Sequence, residues 1–333
     1  MRTLLLFAGL SLLAVDAHAR CDSGERAIRL GLASQPSTLS RGRAVASLAS
    51  TINRDMQGRA CLKILSNDQQ FSSSQSVAAL LDGSIDFALP SFADLGRIAR
   101  DYKIFELPFA FRDNRAVGRF LILAGDRMQE PLKRFNVKSL AVFYGHFDQI
   151  ASRQTSILPE DLAGLKMTAG NHSFSAKMIS TLKAVDLSLA QDKPADTTKA
   201  TAMATAAKTA DAQAIDWFAL SNKNASKPFG AVTQTNHRYH GHVLLVSQSW
   251  WNGLSSRLKR PLEELIARIS RQANFDAEQQ QANARRNVIA DGVKVHGLTR
   301  RQRQLWIERL SPVWDEFENK NLLDIVRQAD RAL

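Results

Sequence analysis

Only two of the 333 residues are cysteines, Cys21 and Cys61, and the chain has no apolar run long enough to cross a membrane. It also lacks the short motifs that announce chemistry: no nucleophile-elbow serine, no phosphate-cradling glycine loop, no His-Glu-x-x-His and no dinucleotide fingerprint. Ser, His and Asp are present, as in most chains of this length, but without a motif they assemble into no triad. The sequence therefore argues against an enzyme and calls for no cofactor. Acidic residues are the scarcer charge, 32 Asp and Glu against 44 Lys and Arg, a formal net charge of +12. Nucleic acid is the reflex partner for so basic a protein, yet the cations are scattered from Arg29 to Arg331 rather than gathered in an aromatic-studded patch. They read as solvated surface charge with a general attraction for anions, and no nucleic acid is expected.

The longest apolar run, residues 4–15, follows Arg2 and leads to Ala17-His18-Ala19, the small-x-small pattern that signal peptidase reads. A membrane-spanning helix needs about 20 apolar residues. Residues 1–19 are therefore expected to be a cleaved signal peptide, leaving a secreted, soluble mature protein that is not membrane-embedded. Losing Arg2 and Asp16 keeps the charge at +12. Arg20 stands where a lipidation signal wants a small residue, which argues against Cys21 as a lipid anchor. An oxidising compartment permits Cys21 and Cys61 to pair. Residues 27–32 and 61–65 read as the first two strands, and if these are parallel neighbours both cysteines lie near one sheet edge. Two buried free thiols are the alternative.

Strand and helix signals alternate from there, which predicts an α/β fold. A helix over 42–56 stops at Gln57-Gly58-Arg59. After the second strand come the polar loop Asn67-Asp68-Gln69-Gln70, a helix near 74–81, the turn Asp82-Gly83 and the apolar run 85–89. In open sheets of this kind ligands sit beyond the carboxyl ends of the strands. That rule selects Ser34, Gln35, Asn67, Gln69, Pro90, Ser91 and Phe92 as candidate ligand-binding residues. Residues 137–144 read as a strand leading to a second lobe that begins at 165–169, the alanine-rich stretch 197–210 as a helix, and 242–246 as a strand. Beyond Trp250 the chain reads as almost wholly helical, with Leu258, Leu262, Leu265, Ile266 and Ile269 at helical spacing.

Two segments are distinctive: Lys103-Ile104-Phe105-Glu106-Leu107-Pro108-Phe109-Ala110-Phe111-Arg112-Asp113 and Leu158-Pro159-Glu160-Asp161-Leu162-Ala163-Gly164-Leu165-Lys166-Met167. In wording and separation both resemble the best-marked segments of the DctP-type solute-binding proteins of TRAP transporters, which capture small organic acids in the periplasm. The likeness runs from Ile28-Arg29-Leu30-Gly31 to about Phe317. Leu80-Leu81-Asp82-Gly83-Ser84-Ile85-Asp86-Phe87-Ala88 is similar to the family's short helix, glycine turn and third strand. Ser249-Trp250-Trp251-Asn252-Gly253-Leu254 resembles its tryptophan-led helix start, and Ala290-Asp291-Gly292-Val293-Lys294-Val295 its late glycine turn.

The resemblance implies a two-lobe periplasmic-binding-protein fold: α/β lobes joined by crossing strands, braced by a long helix, with a helical C-terminus, closing around one small organic ligand. The implied divisions are the signal peptide 1–19, lobe I over 20–145, mainly lobe II with the crossing strands over 146–245, and a bracing helical segment over 246–333. The family default for the ligand is a carboxylate such as a C4-dicarboxylate. The implied partner is a TRAP membrane permease driven by an ion gradient. The alternative is a periplasmic sensor or scavenger of the same fold, presenting its ligand to a receptor.

At the family's ligand-contact positions this chain departs. The family carries an arginine two residues after the lysine of Gly-Leu-Lys, a bidentate clamp for the ligand's carboxylate; here Thr168 stands there. A second arginine commonly follows a Gly-aromatic pair in the crossing strand, and Gly145-His146-Phe147-Asp148-Gln149 puts Asp148 at that place. The signature Asp-Gly-Gln-Glu reads here as Asp211-Ala212-Gln213-Ala214-Ile215-Asp216. Burying a charge without a partner costs several kcal/mol, so two explanations stay open. Either the ligand is neutral or cationic at the end facing Thr168 and is met by Asp148 and Asp216, or another basic residue, Lys166, Arg153 or His172, has taken over the clamp. Asp148 and Asp216 equally fit a salt bridge and a strand-end cap. Phe147, Trp217 and Phe218 offer rings for stacking, with the core as their other home. Asn171-His172-Ser173 follows Ala169 as a candidate pocket wall. His237, His240 and His242 surround Tyr239, but their spacing fits neither strand nor helix and no Cys or close carboxylate joins them, so no metal site is expected.

Overall fold

The structure is a computed structural model that describes residues 21–32, 40–66, 73–170, 172–187 and 209–331. The expected signal peptide, Gln35, Asn67, Gln69, Asn171 and most of the alanine-rich stretch lie outside the described residues.

Strands β1 (Arg26–Leu32), β2 (Ala60–Ser66) and β3 (Phe87–Ala88) are parallel, ordered β2-β1-β3, with helices α1 (Ser40–Asp55) and α2 (Ser73–Leu81) between them in sequence. A second parallel group is formed by β5 (Lys166–Thr168), β6 (Val185–Asp186) and β7 (Ala212–Asp216), ordered β7-β5-β6. Two long antiparallel strands join the groups, β4 (Val137–Ser152) and β8 (Ala231–Ser247). The end of β8 pairs with β3 through Leu245 and Val246, and the end of β4 pairs with β7 from Asp148 to Ser152. Each long strand thus belongs to both lobes, which makes the expected two-lobe α/β architecture physically one sheet.

The register between β4 and β8 slips three times, and the middle slip, between Tyr144 and Phe147, falls where the chain passes from one lobe to the other. Gly145 lies at this crossing. A Cβ there would stand 2.3 Å from the carbonyl oxygen of His240, a backbone atom that has nowhere to go, so only glycine permits so close an approach.

Both crossing strands are longer than their apolar signals, 137–144 and 242–246. Their middle residues carry Gly, His, Asp, Gln and Asn, because one face of the sheet there meets polar partners while the other, at Phe147 and Tyr239, packs on the core. A further short strand, β9 (Lys294–Gly297), pairs with Ala231 to Gln234 of β8 and corrects the reading that strands end before the last quarter, where the sequence reads as almost wholly helical. Four residues, three of them polar or glycine, are too few to carry a strand signal.

The long helix Ser256–Ala290 has 35 residues and so extends about 52 Å. Its first half packs Leu262, Leu265, Ile266, Ile269 and Ala273 on the lobe I core of Ile28, Leu30, Leu48, Ile52 and Phe87. Its far end sets Ala284 and Val288 against Trp217, Leu220 and Phe229 of lobe II. Between the two, the Asn274 amide clasps the crossing strand, accepting from the Tyr144 N–H (2.7 Å) and donating to the Val142 carbonyl (3.1 Å).

The segment around Leu107 to Phe111 is a packing hub. Phe105 stacks on Phe92 at 3.8 Å and meets Phe111 and Phe120 at 5.5 Å each. Phe109 adopts φ +62°, a left-handed conformation costly for an aromatic residue, while its N–H donates to the His237 carbonyl at 2.6 Å. Trp314 Nε1 donates to the Pro108 carbonyl at 2.8 Å, tying the C-terminal helices to the same point.

Cys21 and Cys61 form a disulfide with Cα atoms 5.5 Å apart, next to the first β1–β2 pair, Arg26 with Ala60. It fastens the chain before β1 to β2. Reduction, or Cys21→Ser with Cys61→Ser, is expected to cost about 2–4 kcal/mol by freeing the unfolded chain. The urea midpoint reads this directly; a midpoint indifferent to reductant contradicts it.

Candidate functional site

The carboxyl ends of the strands in both lobes point at the middle of the crossing strands. From lobe I, β1 is followed by Arg41 in the first turn of α1, and β3 by Ser91, which forms an isolated bridge with His242. From lobe II, β5 ends in Thr168-Ala169-Gly170 and β7 in Asp216. The crossing strands supply His146 and Asp148 from β4, and Arg238, His240 and His242 from β8. The last three alternate along a strand and so share one face.

Asp148 lies at the centre with only 3% of its surface exposed. The Arg238 guanidinium donates through Nη2 to Asp148 Oδ2, and His240 Nε2 lies 2.9 Å from the same oxygen. Arg238, itself 6% exposed, spends Nη1 on the Ala169 carbonyl (2.9 Å) and Ser175 Oγ (3.3 Å). The His146 ring stacks on His240 at 4.4 Å, and its Nε2 is 3.7 Å from Asp216 Oδ2. His172 meets His240 edge-on at 5.3 Å. One donor atom each of His146, Asp148 and His240 lie within 4.8 Å of one another. Thr168 Oγ1 and His237 Nε2 are buried without a hydrogen-bond partner. At the lobe I end the Arg41 guanidinium donates to the His242 ring and meets no acidic side chain among the described residues.

Burial opposes ionisation of Asp148, but the facing Arg238 and His240 outweigh it and hold the carboxyl well below its ordinary range. Burial, then the neighbouring His240, lowers His146 to about 4. Burial, then Arg238, lowers His172 to about 3, and burial alone accounts for most of the drop of His237 to about 3. His242 falls well below its usual value through burial and the adjacent Arg41, whose own pKa burial lowers. The neutral imidazoles of His146, His172, His237 and His242 thus lie in a strip between two arginines, only one of which meets a carboxylate among the described residues.

Of the residues singled out in the sequence, Asp148, Thr168, His172 and Asp216 come together here. Phe147 lies beside them, half-buried against Tyr239 at 4.9 Å. The Asp216 carboxylate also caps the helix Trp217–Leu220, accepting from the N–H groups of Phe218 (2.8 Å) and Ala219 (3.1 Å). Ser91 is occupied with capping as well: its hydroxyl donates to Asp94 Oδ2 at 2.5 Å.

Two rings belong to the core instead. Phe92 is 2% exposed and packed onto Gly241, and Trp217 is 5% exposed among Leu220 and Phe229. The notion that Asp148 awaits a cationic ligand is corrected, since its carboxylate is already neutralised by Arg238. So is the statement that no carboxylate joins the histidines. Lys166 opens β5 at the end away from the strip, and Arg153 beyond β4 donates to the Ala210 carbonyl at 2.9 Å, so neither supplies a clamp.

The residues missed are Arg238 and Arg41. The signal for the first is the alternation Arg238-Tyr239-His240-Gly241-His242, a period-two polar face; the second, an arginine at a helix start, carries none.

The family model for bacterial extracellular solute-binding protein, family 7 (DctP), matches residues 33–321. The C4-dicarboxylate-binding periplasmic protein DctP of Vibrio cholerae serotype O1 is 26% identical over 328 residues, 98% of this chain and 97% of that protein. Among solved structures, a TRAP periplasmic solute-binding protein from Shewanella oneidensis with bound succinate has a TM-score of 0.76 at 20% identity, covering 92% of this chain and 100% of its own. The sugar acid binding protein DctPAm from Advenella mimigardefordensis, in complex with galactonate, has a TM-score of 0.74 at 20% identity with the same coverage. At these identities the structural likeness is one of fold, and it is the two-lobe fold seen here. The family match, over most of the chain, bears out the resemblance carried by the Leu107 to Phe111 and Leu158 to Met167 segments: the chain belongs to the DctP-type bacterial extracellular solute-binding proteins, family 7.

Proposed function

We propose that this chain is the periplasmic solute-binding subunit of a TRAP-type transporter, delivered across the inner membrane by its signal peptide, and that its solute is a small organic anion. The observation that carries the anion is Arg41. A guanidinium held at the carboxyl end of β1, beside a neutral imidazole and without an acidic neighbour among the described residues, is unfavourable until an anion meets it. The relatives support the same class: the Vibrio protein is named for C4-dicarboxylates, and the solved structures hold succinate and galactonate. Arg41 supplies a clamp on lobe I, whereas the lobe II position at which the family carries an arginine is held here by Thr168. Solute held by lobe I gains the His172, Thr168 and Asp216 side only on closure, so binding stabilises the closed state by its differential affinity. The membrane permease then takes the closed form as its signal.

A thermal-shift screen of the mature protein tests this, because a ligand of the folded state alone raises the melting temperature. Succinate, malate and galactonate are set against amines and neutral polyols. Carboxylates are expected to raise the melting temperature, and Arg41→Met to abolish the rise while leaving the ligand-free melt unchanged. Shifts from amines or polyols alone, or carboxylate shifts that survive Arg41→Met, defeat the reading.

A further inference from the structure

We propose that His146, Asp148 and His240 bind a divalent transition-metal ion, and that the ion's open coordination positions take a carboxylate of the solute. The second half rests on the solute-receptor reading above; the metal site stands on its own geometry.

Two imidazoles and one carboxylate, each offering a donor atom, lie within 4.8 Å of one another. Ligands about 2.0–2.2 Å from a shared ion are themselves separated by roughly 3–3.5 Å. His240 Nε2 and Asp148 Oδ2 already stand 2.9 Å apart, so the site needs only a small approach of His146, whose ring stacks on His240 at 4.4 Å with the planes inclined at 28°. Two histidines and a carboxylate suit Zn(II), Co(II), Ni(II) or Fe(II) and leave coordination positions free for an incoming ligand.

The surroundings fit the same role. Arg238 grips the Asp148 carboxylate, is pinned to the Ala169 carbonyl and Ser175, and donates through Nε to His240 Nε2 at 3.3 Å; it is an outer shell that fixes the ligating oxygen in place, and its contact with His240 is the one an ion displaces. The nearby guanidinium repels a cation, and the two carboxylates Asp148 and Asp216 offset it; Asp216 lies 3.7 Å from His146 Nε2. A dication with Arg238 and these two carboxylates leaves one positive charge, which an anionic solute completes. Thr168, where no guanidinium projects, offers a buried hydroxyl without a partner. The cation would therefore do for the solute at the lobe II side what a β5 arginine does elsewhere.

The experiment uses tag-free mature protein stripped with EDTA and dialysed. Calorimetric titration with ZnCl2, CoCl2 and NiCl2 is expected to give one ion per chain, with Co(II) developing visible absorption bands from nitrogen ligands. His146→Gln, at a half-exposed position outside the ion pair, is expected to weaken metal affinity at least tenfold with the melting curve kept. Arg41→Met is expected to leave it unchanged. The metal-loaded protein is expected to bind succinate, malate or galactonate at least tenfold more tightly than the stripped protein.

Failure of all three ions to bind at micromolar concentration, or equal binding by His146→Gln, overturns the site. Equal carboxylate affinity with and without metal overturns the bridging role and leaves the solute receptor standing. Absence of carboxylate binding under both conditions removes the receptor reading, while the metal titration still decides the site.

Discussion

Asp148→Ala, measured in EDTA by urea unfolding, is expected to destabilise the protein by about 3–5 kcal/mol, the usual cost of stranding one member of a buried ion pair. That is a large share of the roughly 5–15 kcal/mol that holds a domain together. Both partners are almost wholly buried, Asp148 at 3% and Arg238 at 6%. With the carboxylate gone, the guanidinium keeps the Ala169 carbonyl, the Ser175 hydroxyl and the His240 ring nitrogen, none of which carries a negative charge. Arg238→Met is expected to cost a similar amount, since it leaves the carboxylate with a single imidazole contact. The informative variant is the double one. Removing both charges together should cost clearly less than the two single losses added, by about 2 kcal/mol or more. Strictly additive losses, or single losses below about 1 kcal/mol, would show that water reaches the pair and that the centre of the crossing strands is wet.

The second large effect is on acid stability. His237 is 2% exposed, and burial lowers its pKa from an ordinary 6.5 to about 3. The unfolded chain takes up a proton near pH 6.5 and the folded chain does not, so the contribution is fully present above pH 6.5 and is lost as pH falls towards 3. At about 1.4 kcal/mol per unit of pKa, the whole loss is on the order of 4–5 kcal/mol. His146 and His172 act with the same sign but count for less, because water still reaches them; the His146 side chain is 31% exposed. Asp148 extends the loss at the acid end. Its folded pKa is depressed, so its contribution is present above the ordinary carboxylate range and vanishes only as pH drops through its folded value. Urea midpoints are thus expected to be level between pH 8 and 7 and to descend steadily below 6.5, with His237→Leu flattening the upper part of the descent. A level profile from pH 8 to 5 in the unaltered protein would mean that these rings bind protons in the fold.

Lobe I is legible in the sequence because its strands sit on an apolar core: Ile28 and Leu30, Leu62, and Phe87 fall on the inner face, and the turns between carry Gly58 and Gly83 at positive φ. The crossing strands are only half legible. Where β4 and β8 traverse the space between lobes they bury polar side chains on one another, and the alternation that marks them is of polar residues about Tyr239 rather than of an apolar run. Asp148 is visible as a departure from the family's pattern, but its meaning is not, since the arginine that neutralises it lies 90 residues later. Phe92 and Trp217 show the opposite failing: a ring just beyond a strand end is equally placed for a ligand or a core, and only the surrounding packing decides. Arg41 illustrates a third case. In sequence it is one more cation near a helix start in a chain with 44 Lys and Arg, and its significance lies in the lack of an acidic side chain beside it among the described residues.

The clasp of Asn274 on Val142 and Tyr144 has a mechanical consequence. It pins the long helix to lobe I immediately before the strand crossing at Gly145, leaving Ala284 and Val288 as a free arm about 15–20 Å long resting on lobe II. In a rotation of about 10° at the crossing, lobe II shears beneath that arm by about 3 Å, more than half the spacing of successive helical turns. Close-packed side chains do not glide through such a distance; they repack. If the lobes close as proposed, the arm would act as a detent whose barrier sets how fast the protein opens and shuts, independently of how tightly the cleft holds its cargo. Substitutions at Ala284 would retune residence time while leaving the chemistry of recognition untouched.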